Sequence, residues 1–88
     1  MKLIVLIVRD HDADATIHQL VQAGYRVTRI ASTGGVLRRG QATLLMGVED
    51  AQVEPALTLI RSLLPRTNPQ ESRGLVFVLP VERFEQIG

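Results

Sequence analysis

Lys2-Leu3-Ile4-Val5-Leu6-Ile7-Val8-Arg9 sets six consecutive aliphatic residues between two cations, and its reading decides the fold. A run that is apolar without alternation predicts a strand buried on both faces. Leu3, Val5 and Ile7 point one way, while Ile4, Leu6 and Val8 point the other. The run is far too short to span a bilayer, which takes about 20 residues. The charged Arg9-Asp10-His11-Asp12 that follows offers no small-residue site for signal-peptide cleavage. The expectation is a cytoplasmic chain without a membrane partner.

Working outward, Asp10 or Asp12 offers a side-chain oxygen to cap a helix. Ile17, Leu20, Val21 and a closing Gly24 follow at i, i+3, i+4, i+7 spacing. Residues 26–32 read as a second strand, and Thr33-Gly34-Gly35-Val36-Leu37-Arg38-Arg39-Gly40 as a glycine-rich loop. Residues 41–48 form a third strand. Asp50 opens a second helix with Val53, Ala56, Leu57, Ile60 and Leu64 on one stripe. Pro55 lies deep for a cap at Asp50, which predicts a start one or two residues later. A polar loop over residues 65–72, a fourth strand over residues 74–81 and a short tail complete the chain.

Strand–helix–strand, hairpin, helix–strand predicts an α+β, ferredoxin-like βαββαβ domain over residues 1–88. It has a four-stranded antiparallel sheet with both helices on one face, and right-handed crossovers put the first and third strands at its centre. Two helices cover only one side of a sheet whose first and last strands are apolar on both. At roughly 25 cal/mol per Å² of apolar surface, a bare second face is a large penalty. A second copy of the chain is the simplest cover, so the domain is expected to oligomerise.

Composition excludes several classes of function. Eighty-eight residues build one core and not two. Aromatics make up 3%, only Tyr25, Phe77 and Phe84, too few for a base-stacking sheet. A net charge of +1 gives no footprint for DNA or RNA. The absence of cysteine excludes disulfides and thiolate metal sites.

The chemistry-bearing stretch runs from Arg26 to Gly40. Arg26 and Thr28 share one strand face, so a guanidinium and a hydroxyl project together. The glycines allow backbone N–H groups to approach an anion, and Arg38 and Arg39 add positive charge. These features suit a phosphate-binding corner. They equally suit a hairpin whose glycines satisfy a turn and whose arginines are solvated. Asp10, Asp12 and Asp14 lack the glycine and distal glutamate of a calcium loop and fit a helix N-terminus. Asp14 and His18 are a solvated pair at helical spacing, and His11 is a loop residue, so no metal or cofactor is expected. Ser32 and Thr33 have no neighbouring base in sequence, so no catalytic residue is assigned and the chain is expected not to be an enzyme.

Several strings resemble the PII-like cyclic-di-AMP receptor family. They are Met1-Lys2-Leu3-Ile4-Val5 with Val8 and Asp10, Tyr25-Arg26-x-Thr28, and Ala31-Ser32-Thr33-Gly34-Gly35-x-Leu37-Arg38-x-Gly40. Gly47-Val48 and Val76-Phe77-Val78-Leu79-Pro80-Val81 with Phe84 continue the likeness. The resemblance implies a signal-transducing homotrimer. Each ligand, cyclic-di-AMP or another adenine nucleotide, lies between neighbouring subunits, and loop rearrangement relays its binding to a protein partner. It matches Arg26, Thr28, Gly35, Leu37 and Gly47 to ligand-contacting positions, with Gly34, Val36 and Gln41 completing the candidate set. Val36 stands where the family usually has phenylalanine, and Gln41 and Gly24 where it has asparagine. The loop before the last strand is much shorter than the family's. The alternative is a structural or interaction trimer of the same fold with a decayed or different ligand site. A small hydrolase has no residues in its favour beyond the fold.

Overall fold

Leu3 to Val8 does become a central strand. In the computed structural model, which describes residues 1–30, 40–64 and 74–88, β1 (Lys2–Arg9) pairs antiparallel with two neighbours. On one side lies β3 (Gln41–Val48), with Leu6 opposite Leu44 and Ile4 opposite Met46. On the other lies β4 (Leu75–Pro80), with Val5 opposite Phe77. The short β2 (Thr28–Ile30) adds to the far edge of β3, giving the order β2-β3-β1-β4. This is the expected ferredoxin-like sheet with the first and third strands at the centre.

Two helices, α1 (Asp10–Gln22) and α2 (Val53–Leu63), lie on the side of the even-numbered β1 and β3 residues. Ile4, Leu6, Leu44, Met46, Leu20 and Ile60 are fully buried there, each worth about 1.5–3 kcal/mol relative to exposure. The α2 stripe follows the sequence, with Ala56, Ile60 and the capping Leu64 buried. The α1 stripe is displaced from its expected position. Val21 is 52% exposed, whereas Ala13, Thr16 and Leu20 are buried. Thr16 tolerates burial because its hydroxyl donates to the Asp12 carbonyl at 2.8 Å. No helix among the described residues is long and apolar enough to cross a membrane.

The helix ends correct the expected caps. Arg9 is the N-cap of α1, and neither Asp10 nor Asp12 caps it. Both aspartates sit in the first turn, where the helix dipole favours negative charge, and the Asp10 carboxylate is drawn away by Arg29. At the other end Gly24, at φ 98°, follows the capping Ala23. The Gly24 N–H donates to the Val21 carbonyl and that of Tyr25 to the Leu20 carbonyl. This is a Schellman closure requiring a left-handed residue. The second helix starts late, as Pro55 demands. Asp50–Gln52 forms a 3₁₀ turn before α2, and the cap is Glu49 in a capping box with Gln52. Asp50 is instead held by the terminal amino group at 3.1 Å and by Lys2 at 3.8 Å.

The opposite face carries no helix among the described residues. Leu3, Val5, Ile7 and Leu45 are partly buried there, while Leu75, Phe77 and Leu79 of β4 are about half exposed. Val76 and Val78 face the helix side yet remain 38% and 39% exposed, so the edge strand is open on both faces.

Candidate functional site

Strand parity distributes the candidate residues. Thr28 lies opposite Leu45, and Arg29 opposite the buried Leu44, so Thr28 faces the helix-free side and Arg29 the helices. β2 begins at Thr28, two residues later than expected, which leaves Arg26 just before it, while residues 31–32 of the expected strand lie outside the described residues. Extending the register by two residues sets Arg26 across from Gly47, the exposed open-face position that follows Leu45 on β3. A Cβ at Gly47 would meet nothing within 4 Å. On that extension Arg26, Thr28 and Gly47 share one corner of the helix-free face, with a cation, a hydroxyl and an uncovered stretch of backbone. Arg26 is exposed and joins no ion pair among the described residues.

Gln41 is not part of that corner. It pairs with Arg9 at the opposite end of β3, about 20 Å from Gly47 at the usual rise per strand residue. It does share the helix-free face. Between the two, Thr43 is buried on this face, beside Ile7 and Ile30, and its hydroxyl has no hydrogen-bond partner among the described residues. An unpaired buried hydroxyl costs about 1–3 kcal/mol. Gly34, Gly35, Val36 and Leu37 lie outside the described residues.

Residues 1–71 match the sequence profile of the family described as "Cyclic-di-AMP receptor". The chain belongs to the cyclic-di-AMP receptor family. That is a binding and signalling family, and the match covers Arg26, Thr28, Gly47 and every other candidate site position. A solved structure from Pediococcus pentosaceus ATCC 25745, described as a functionally unknown protein, is similar over nearly its whole length. The two are 30% identical, with 98% of this chain and 96% of that one covered and a TM-score of 0.76.

Sequence reading missed a cluster on the helix side of β2. Arg29 donates to the Asp14 carboxylate at 2.9 Å and to the Asp10 carboxylate at 3.1 Å. Asp14 is therefore paired with β2, not with His18 as the helical spacing suggested. The Asp10 N–H also donates to the Gly40 carbonyl at 2.8 Å. The spacing of Asp10 and Asp14, one helical turn apart, was the available signal; the partner strand was not legible. No group of three or more potential metal ligands occurs among the described residues.

Proposed function

We propose that this chain is a cytoplasmic, PII-like signalling receptor that binds cyclic-di-AMP in clefts between subunits of a homotrimer. It relays the ligand to a protein partner by loop rearrangement, without chemistry. The family match over residues 1–71 carries this reading. The helix-free apolar face supports the assembly, since half-exposed Leu75, Phe77 and Leu79 need a cover and a copy of the chain supplies one. Separation of Gln41 from Arg26 along one face also favours a cleft that joins the two ends of different copies. In that cleft Arg26 pairs with a phosphate, Thr28 hydrogen-bonds an adenine edge or phosphate, and Gly47 leaves room for the ligand against the strand. Gly34, Gly35, Val36 and Leu37 contribute from the loop. Val36 offers no π face, which costs on the order of 1–3 kcal/mol relative to an aromatic stacked on adenine.

Calorimetric titration of cyclic-di-AMP tests the proposal. Wild type should give heat, Arg26→Ala should bind roughly ten- to a hundredfold more weakly, and Val36→Phe should bind more tightly. No heat from any of the three contradicts it and favours a scaffold whose ligand site has decayed.

A further inference from the structure

The Asp10–Arg29–Asp14 cluster lies on the helix side of the sheet, behind β2, whose opposite face carries Thr28. β2 lies at the sheet edge and, among the described residues, pairs with β3 alone. Arg29 is the middle residue of β2, and its guanidinium fork spans two carboxylates one helical turn apart on α1. Asp10 in turn fixes β3, through its N–H to the Gly40 carbonyl. The first turn of α1 therefore holds β2 by side chains and the start of β3 by backbone. Rotation of β2 about its axis would break both Arg29 contacts and carry Thr28 and Arg26 off the open face. We infer that Arg29, Asp10 and Asp14 are positioning residues for the ligand site, orienting β2 so that Thr28 and Arg26 present to the ligand. This role rests on the proposed binding of cyclic-di-AMP at that corner. None of the three touches the ligand, because they occupy the opposite side of the sheet.

Sign separates this role from simple electrostatics. An anionic ligand should bind more tightly when two nearby carboxylates are neutralised, whereas loss of positioning should loosen it. Cyclic-di-AMP is titrated calorimetrically into wild type, Arg29→Ala, the double variant Asp10→Asn with Asp14→Asn, Arg26→Ala, and Arg29→Ala combined with Arg26→Ala. Melting temperatures are recorded alongside. Arg29→Ala and the double asparagine variant should each weaken binding about three- to tenfold, with melting temperatures within a few degrees of wild type, as befits exposed ion pairs. In the Arg26→Ala background the Arg29→Ala loss should shrink to about twofold or less, because coupled residues are not additive. Unchanged or tighter binding in the asparagine variant overturns the inference, as does the same loss in both backgrounds, and each leaves the receptor reading standing. No heat from wild type overturns the receptor reading itself, and the positioning role with it.

Discussion

Leu6 and Val5 are neighbours on β1 whose surroundings differ completely. Leu6 is fully buried between Leu44, Val76 and the helices, whereas Val5, between Leu45 and Phe77, looks out from a face with no second layer among the described residues. The two sides of the sheet are nearly equal in apolar character, yet only one is satisfied within the chain. The proposed assembly assigns that other face to an intermolecular contact. The candidate ligand corner lies on that second face. On the proposed reading, stability and function are divided between the two sides of the same strands, with Arg29 linking them across β2.

The sharpest way to break this contrast is to truncate each side in turn. Leu6→Ala should cost about 2.7–5 kcal/mol, the usual price of a large cavity in a closed core, at every protein concentration. Val5→Ala should cost about 1 kcal/mol or less when the chain is dilute, and more as concentration rises and the face becomes buried. Urea unfolding at two concentrations a hundredfold apart measures both. Equal, concentration-independent losses would mean that the two faces do not differ.

A smaller effect is expected at Gly74, where β4 enters against the closed side. A Cβ there would lie 3.0 Å from the Ile7 carbonyl oxygen and 3.1 Å from Leu64 Cδ1. Gly74→Ala should therefore destabilise by about 1–3 kcal/mol through overpacking, measured by thermal or urea unfolding. A neutral result would show that β4 shifts freely, and that the closed side is less tightly defined at this edge than Leu64 and Val8 suggest.

The architecture was legible because it rests on periodicity. Continuous aliphatic runs gave the strands, the Ala56–Ile60–Leu64 spacing gave α2, and Pro55 gave its late start. What escaped depended on competition for polar groups that spacing cannot resolve. Asp10 and Asp50 both look like caps, but Arg29 draws off one and the terminal amino group and Lys2 the other. Thr16 looks too polar for the α1 core until its hydroxyl finds the Asp12 carbonyl. Within the site, the alternation of Arg26 and Thr28 was readable. The proximity of Gly47 was not, because it follows from the register of β2 and β3.

The smallest predicted effect is at Asp50. Its hydrogen bond from the terminal amino group, with added attraction from Lys2 and that same amino group, holds its carboxyl below the ordinary 3.8. A depressed carboxylate contributes stability above the unfolded value and loses it as pH falls through the folded one. The carboxylate is solvent-exposed, so the contribution is slight. Wild type should melt marginally above Asp50→Asn near neutral pH, and the two should converge well below pH 3.8. A gap that persists or widens in acid would exclude the ion pair as its cause.

The central claim, that the helix-free face is closed by other copies of the chain, is tested most directly by mass in solution. Light scattering at micromolar concentration should return a homotrimer of about 29 kDa, three times the 9.7 kDa chain. A single species at 9.7 kDa would contradict the account, because Leu75, Phe77 and Leu79 would then face water with nothing to cover them.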